Sequence, residues 1–155
     1  MEGLERLLAE HRFFRDLDPA YIELLSGCAA NRRFNEGTYL FHEGDPADHF
    51  YLIRTGTVAL EIAGSPRGPI ILQTLGVGDM LGFSWLFPPY RMQFDARAVE
   101  TVVAHVFDGA CLRGKADADP RLGYELMKRF SRDLLQRLQA TRLQILDVYG
   151  HAAAR

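Results

Sequence analysis

The chain predicts a mainly β domain with flanking helices, a double-stranded β-helix (jelly-roll barrel) with N-terminal helices and a long C-terminal helix. Two observations support this prediction. Between residues 33 and 82, short apolar segments recur at close spacing and each ends at a turn containing glycine, which is typical of barrels and jelly rolls. On both sides of this region the apolar residues are spaced as in helices. With 155 residues, the chain has the length of one domain, so we assign 1–155 to a single domain.

The N-terminal part, residues 1–30, is predicted to be helical. Leu4, Leu7 and Leu8 fall on one face of a first short helix. Asp18 followed by Pro19 predicts the start of a second helix, because aspartate caps helix N-termini and proline is tolerated at the first helical position.

The middle part, residues 31–107, is predicted to form the β-barrel. The apolar period changes to two near Asn31, and residues 38–42 and 58–62 alternate between apolar and polar. Residues 50–53 are apolar without interruption, which predicts a strand buried on both faces. Two further strands are predicted over 70–75 and 96–104.

The C-terminal part, residues 108–149, is predicted to be helical again. A short helix covers Gly109 to Ala116, and Asp119 with Pro120 repeats the helix-start signal. The helix that follows continues to about Val148. At about 1.5 Å per residue it is roughly 45 Å long, which is longer than a compact barrel needs.

This long helix carries two apolar lines. One has the alternating spacing of a coiled-coil seam and consists of Leu134, Leu138, Thr141, Ile145 and Val148. The other consists of Leu135, Leu143 and Leu146. Because two apolar lines require two burial partners, we predict a parallel homodimer through the seam. The alternative is one broad stripe packed on the barrel.

Composition limits the other classes of protein to which the chain could belong. The formal net charge of −2 lacks the basic excess of most nucleic-acid-binding modules. The two cysteines, Cys28 and Cys111, are too few for a disulfide framework and are interpreted as small buried hydrophobic residues. No apolar run reaches the roughly 18 residues of a membrane span, and the N-terminus has no signal-peptide pattern. We therefore expect a cytoplasmic protein that contacts no membrane.

The order of these segments closely resembles the cyclic-nucleotide-binding domain of Crp–Fnr regulators, protein kinase A regulatory subunits and gated channels. The resemblance covers roughly residues 13–149 and is carried by the turn glycines, residues 50–53, and the turn at Gly78 and Asp79. It implies a regulatory sensor that is dimeric through its long helix and binds a cyclic nucleotide or another small molecule. Most Crp–Fnr regulators continue into a DNA-binding domain. This chain ends at HAAAR, so we expect no direct nucleic-acid binding.

The resemblance also implies where a ligand would bind. In the family, a glycine–glutamate pair opens a short helix, and the glutamate binds the ribose hydroxyl. An arginine about ten residues later pairs with the cyclic phosphate, and a small residue follows it. The candidate ligand-binding residues are therefore Gly82, Phe83, Ser84, Arg91, Met92, Gln93 and Thr141. Thr141 corresponds to a helix threonine that family members place against the purine base.

The charged members of the family pattern are missing from this loop. In an ungapped alignment from Gly82 to Arg97, Phe83 takes the place of the glutamate and Met92 that of the arginine. Gln93 takes the place of the small residue. Arg91 is displaced by one position, which in regular strand directs it to the opposite face.

We therefore interpret the chain as a regulatory sensor or interaction module with a degenerate phosphate loop, in which binding of cyclic AMP or GMP is not expected to follow the family route. Three alternatives stay open. The pocket is filled and the barrel acts only in dimerisation or in binding an unknown protein partner; the pocket takes a different, less charged small molecule; or Arg91 still reaches a phosphate.

No catalytic or metal site is predicted, and no cofactor. The five histidines, His11, His42, His49, His105 and His151, are dispersed and lack the His-x-His of metal cupins. A cupin-like metal enzyme is the last alternative. The chain has no Gly-x-Ser-x-Gly, no P-loop and no nucleophile–base pair at informative spacing, so we predict that it is not an enzyme.

Overall fold

The computed structural model describes the backbone of residues 2–153 and the side chains of residues 3–150. The helices are α1 (Glu2–Glu10), α2 (Pro19–Ser26), α3 (Gly109–Ala118) and α4 (Pro120–Ala153), with 3₁₀ turns at Arg12–Phe14 and Phe83–Leu86. The strands are β1 (Ala29–Phe34), β2 (Tyr39–Phe41), β3 (His49–Thr55), β4 (Val58–Ile62), β5 (Ile70–Leu75), β6 (Met80–Leu81), β7 (Asp95–Ala98) and β8 (Val102–Asp108).

These strands form two antiparallel sheets, so the prediction of a mainly β fold with flanking helices is confirmed. One sheet has the order β1-β8-β3-β6 and the other β2-β7-β4-β5. Apart from β4 and β5, neighbouring strands in each sheet are not consecutive in sequence, as in jelly rolls.

The central strand β3 is buried on both faces, as its apolar sequence predicts. Residues 50–53 are all less than 5% exposed. On the side away from the second sheet, β3 is covered by the segment between α1 and α2: the rings of Phe13 and Phe50 lie 5.5 Å apart, and the His11 ring bonds to the Ile53 carbonyl. The N-terminal helices therefore belong to the same core as the strands.

The prediction of one strand over 96–104 is wrong. β7 ends at Ala98 and β8 begins at Val102, and the two strands lie in different sheets. In the turn between them, the N–H of Val99 donates to the Thr57 carbonyl at 2.9 Å. Gly56 has a φ of +93°, and a Cβ on it would overlap the backbone at Thr101. The signal for the break thus lies in a glycine 43 residues earlier, not in the turn itself.

The helix-start signals are confirmed. The Asp18 carboxylate accepts a hydrogen bond from the N–H of Ala20 at 2.9 Å, and the Asp119 carboxylate accepts one from Arg121 at 3.1 Å. The first half of α4 buries Leu122 and Phe130 against the rest of the domain. Beyond residue 134 the large apolar side chains of α4 are exposed. The second half of the long helix therefore does not take part in the core.

The interpretation of the cysteines as small buried hydrophobic residues is wrong. Cys28 and Cys111 form a disulfide bond, although 83 residues separate them. The bond joins the start of β1 to the first turn of α3, because the N–H of Asp108 donates to the Cys28 carbonyl and brings the two segments side by side.

Among the described residues, no helix is both long enough and apolar enough to cross a membrane.

Candidate functional site

The loop between β6 and β7 has a backbone course that is fixed by hydrogen bonds to another turn. It begins at Gly82, whose φ of +83° favours glycine, and continues into the 3₁₀ turn. Its second half runs beside the 44–47 turn. There the Met92 N–H donates to the Asp45 carbonyl at 2.9 Å, and the Met92 carbonyl accepts from Gly44 at 2.8 Å. The side-chain directions in this half of the loop follow from that pairing.

Met92 and Arg91 point to opposite sides of this segment. The Met92 side chain is 3% exposed and belongs to the apolar core. Arg91 is exposed, and its Nη1 donates to the Gly44 carbonyl at 3.3 Å. The structure therefore has a thioether at the position that the resemblance gives to a phosphate-binding arginine, and the Arg91 side chain next to it in sequence is exposed.

The first half of the loop is apolar. Phe83 is half-buried and packs against the core, and Ser84 accepts a hydrogen bond through its backbone carbonyl from Phe87. Trp85 is 1% exposed, and its ring lies 5.7 Å from that of Phe130 in α4. Phe83 stands at the position that the resemblance gives to the ribose-binding glutamate.

Aromatic rings pack against one another near the loop. The ring of Phe41 lies 5.8 Å from Tyr51 and 6.1 Å from Phe94. Burial raises the pKa of Tyr51 to about 12, so its hydroxyl is neutral at physiological pH. The groups that these side chains offer to a ligand are therefore uncharged.

The charged side chains of Glu61 and Arg97 pair with each other. Glu61 is 2% exposed, and its carboxylate accepts two hydrogen bonds from the Arg97 Nε, at 3.2 and 3.3 Å. In the register of β4 and β7, Glu61 pairs with Asp95 and Arg97 with Ala59, so Glu61 and Arg97 are diagonal neighbours on one face of the sheet. Arg97 thus binds a carboxylate of its own chain. Arg97 was not predicted to bind a ligand, and no sequence signal pointed to Glu61.

The remaining candidates, Gln93 and Thr141, are both exposed. Gln93 is exposed, and its side-chain amide donates to the Arg91 carbonyl at 3.0 Å. Thr141 is exposed on α4, and its hydroxyl donates to the Arg137 carbonyl of the same helix at 2.9 Å. A cavity of about 240 Å³ lies between α4 and β5 one residue from Thr141, and Ala140 and Arg137 contribute to its lining. The predicted set is thus only partly brought together, with Gly82, Phe83, Ser84 and residues 91–93 in one loop.

The seam residues of α4 are also divided. Leu134 is half-buried and packs against the core of its own chain. The others are exposed, with Leu138 at 47%, Ile145 at 49% and Val148 at 69%. Thr141 between them is exposed as well.

Two of the dispersed histidines meet beneath the N-terminal segment. The rings of His11 and His105 have centroids 6.1 Å apart. His11 accepts from the Phe13 N–H and bonds to the Ile53 carbonyl, and His105 Nδ1 bonds to the Asn31 side chain at 2.6 Å. Burial lowers the pKa of both histidines, that of His105 to about 4, so both are neutral near pH 7.

No metal site is formed by the side chains that the structure describes: nowhere do three or more histidine, cysteine, aspartate or glutamate residues converge. The side chain of His151 lies outside this described set.

Comparison with known proteins agrees with this architecture. The model of the family "Cyclic nucleotide-binding domain" matches residues 31–119. A CRP-like cAMP-activated global transcriptional regulator of Mycobacterium tuberculosis is 26% identical over 145 residues, which are 94% of this chain and 63% of that protein. This chain therefore spans less than two thirds of the length of that relative.

Two solved structures extend the comparison. A protein of Geobacter metallireducens, described as cyclic nucleotide-binding, superposes with a TM-score of 0.78 at 29% identity, covering 89% of this chain and 99% of the other. A cAMP-binding acyltransferase of Mycobacterium smegmatis gives a TM-score of 0.66 at 26% identity, covering 82% of this chain but only 39% of the enzyme.

Proposed function

This chain belongs to the cyclic nucleotide-binding domain family. We propose that it is a non-enzymatic regulatory sensor, and that its loop of residues 82–94 does not hold a cyclic nucleotide by the family's charged contacts. The observation that carries the proposal is the opposite orientation of Met92 and Arg91. A buried thioether cannot pair with a phosphate, and the adjacent guanidinium already donates to a carbonyl on the outer side of the loop.

The energetic consequence is large. A hydrogen bond to a charged group contributes about 1.5–3 kcal/mol, and the family loop uses both a guanidinium and a carboxylate. Replacing them with Met92 and Phe83 removes about 3–6 kcal/mol of nucleotide affinity, which is a factor of roughly 10² to 10⁴ in the dissociation constant.

A second candidate function is a filled domain that acts in dimerisation or in binding a protein partner. The ring of Phe41, which lies 5.8 Å from Tyr51 and 6.1 Å from Phe94, favours it because packed rings would occupy volume that a ligand needs. The remaining version of the sensor binds a small molecule that is less charged than a cyclic nucleotide.

The proposal assigns no catalysis to this chain. The similarity to the mycobacterial acyltransferase covers 39% of that enzyme, and the mycobacterial CRP-like relative is a regulator of transcription. A cupin-like metal enzyme finds no support in the described side chains, which nowhere converge as a metal-binding group. A cytoplasmic location is part of the proposal, because regulators of transcription act where the DNA is.

We also propose that the chain forms a homodimer through α4. The exposed apolar residues beyond residue 134, Leu138, Ile145 and Val148 among them, have no partner within the described chain that covers them. A second copy would bury this seam. With a net charge of −2, direct binding of nucleic acid is not part of the proposal.

A thermal-shift series tests the sensor proposal. The purified chain is heated alone and with cyclic AMP, cyclic GMP and a panel of small metabolites. A ligand present at 100 times its dissociation constant adds about 2.7 kcal/mol, which raises the melting temperature of a domain of this size by about 5 °C or more. We expect no such shift with either cyclic nucleotide at about 1 mM. A shift with a metabolite supports the sensor; no shift with any compound supports the filled domain.

A further inference from the structure

The cysteine pair is a site that the sensor proposal does not use. Cys28 and Cys111 are the only two cysteines of the chain, and they are bonded to each other. We propose that they form a redox-active site, oxidised by small two-electron oxidants such as hydroperoxides or low-molecular-weight disulfides and reduced by thiols, and that its state controls the order of loop 82–94. This inference goes beyond ligand sensing and requires no ligand.

The surroundings favour exchange at Cys111. Its residue is half-buried, whereas Cys28 is 7% exposed, so Cys111 is the more accessible sulfur. Cys111 is the third residue of α3, where the helix N–H groups stabilise a thiolate. The Asp108 carboxylate, which accepts from the Cys111 N–H at 2.8 Å, opposes this stabilisation.

A cation also lies near Gly27, the residue before Cys28. The Lys115 ammonium lies 4.0 Å from the point that a Cβ on Gly27 would occupy, immediately before Cys28 in the chain. A positive charge next to a cysteine favours its thiolate form. The helix N-terminus at Cys111 is therefore the main feature that helps a thiolate leave or attack, and Lys115 adds a positive charge to the same region.

Formation of the disulfide from the two thiols is a two-electron oxidation. With hydrogen peroxide, one thiolate attacks an oxygen, water leaves, and the resulting sulfenic acid is attacked by the second thiol, which forms the disulfide and releases a second water. The two sulfurs lose two electrons and the peroxide gains them. With a small disulfide, two successive exchanges form the protein disulfide and release two small thiols.

The cytoplasmic location proposed above bears on the role of the disulfide. Disulfides in cytoplasmic proteins are usually transient, catalytic or redox-sensing. A cysteine pair that bonds in a protein we place in the cytoplasm is therefore better explained as responsive than as a permanent brace.

The first two turns of α3 connect this bond to the ligand loop. Arg113, two residues after Cys111, donates from Nη1 to the Trp85 carbonyl, and its guanidinium lies 5.1 Å from the centre of the Tyr90 ring. Gly109, two residues before Cys111, donates to the Asp48 carbonyl at 2.8 Å. A Cβ on Gly109 would lie 3.0 Å from the Trp85 Cβ, so this turn and the loop are in close contact. Opening the disulfide frees one side of the turn that holds Trp85 and Tyr90.

The test uses the purified full chain without any ligand. One sample is treated with a phosphine reductant and another with oxidised glutathione, and free thiols are then counted by alkylation and mass spectrometry under native conditions. In the same samples, amide hydrogen exchange is measured over residues 82–94, together with the fluorescence of Trp85, the only tryptophan.

Two variants provide the controls. Cys28→Ser cannot form the bond, and Cys111→Ser serves if the buried substitution prevents folding. Arg113→Met keeps the bond but removes the guanidinium that links α3 to the loop.

We expect no free thiol after oxidation, two after reduction, and exchange over residues 82–94 at least about threefold faster in the reduced chain. The serine variants should exchange at the fast rate under both treatments. In Arg113→Met the thiols should still respond, while loop exchange should no longer depend on treatment. The inference is overturned if, in the folded chain, the reductant does not open the bond or oxidised glutathione does not leave it closed. It is also overturned if the bond opens and closes with no change in loop exchange or Trp85 fluorescence.

Discussion

Arg91 and Met92 show how one residue of register decides what a loop can bind. Both side chains are long enough to reach a phosphate, but the pairing of residues 90–92 with the 44–47 turn turns Met92 inward and leaves Arg91 outside. The sequence predicts this alternation, because neighbouring residues of extended chain face opposite sides.

The buried histidines could not be predicted in the same way. His11 and His105 are 94 positions apart and come together only because the segment after α1 crosses β8. A single sequence has no signal for such a contact. Glu61 and Arg97 are a second example, since their pairing depends on the register between β4 and β7.

The stability of the domain should fall between pH 6.5 and 4 because of His105. Burial above all, together with His11 and Arg54, lowers the pKa of His105 from 6.5 to about 4. The unfolded chain therefore takes up the proton first as the pH falls, and protonation favours unfolding until the folded pKa is reached. The full effect is about 3 kcal/mol, at 1.36 kcal/mol for each pKa unit.

Urea unfolding at pH 7, 5.5 and 4 measures this effect, with His105→Gln as the control. Glutamine does not titrate, and its amide can still donate to Asn31. The variant should lose about 2–3 kcal/mol less than the wild type over this range. Equal pH dependence in the two proteins would show that His105 is not the responsible group.

Among the helices and strands, the helix starts and the buried strands could be predicted from the sequence, whereas the strand ends could not. Asp18 with Pro19 and Asp119 with Pro120 are local signals, and the helices begin where they indicate. The break between β7 and β8 has no local signal, because it is set by the packing of Gly56 against the backbone of Thr101. The cysteine bond likewise depends on where α3 packs, not on cysteine spacing.

The second half of α4 is the element on which the proposed dimer depends. Leu138→Glu should weaken association at least about tenfold, because it places a charge in an apolar seam. Light scattering at several protein concentrations measures the change in mass. The neighbouring substitution Gln139→Glu adds the same charge outside the seam and should leave the mass unchanged. An unaltered mass for Leu138→Glu would place the interface elsewhere.

Across the whole molecule, an aromatic cluster joins the N-terminal segment, β3, the ligand loop and α4. The ring of Phe130 lies 5.3 Å from Phe13, 4.9 Å from Phe50 and 5.7 Å from Trp85. Four distant parts of the chain therefore share one packed centre. The apolar positions of this cluster could be predicted as core, but their mutual contacts could not.

Phe130→Ala should lower the free energy of unfolding by about 3–5 kcal/mol, because it leaves a cavity at this shared centre. Denaturant unfolding followed by Trp85 fluorescence and by circular dichroism measures the loss. Tyr124→Ala is the matched control in the same helix, since Tyr124 is 62% exposed, and it should change stability by about 0.5 kcal/mol or less. A small loss for Phe130→Ala would mean that α4 is not held through this cluster.

The most direct test of the central claim is a calorimetric titration of cyclic AMP into the wild-type chain and into Arg91→Ala. If the loop has lost the charged contacts, neither protein gives saturable heat with a dissociation constant below about 1 mM, and the two titrations are the same. Saturable binding by the wild type at micromolar concentration, abolished in Arg91→Ala, would contradict the account, because it would show that the displaced arginine still holds the phosphate.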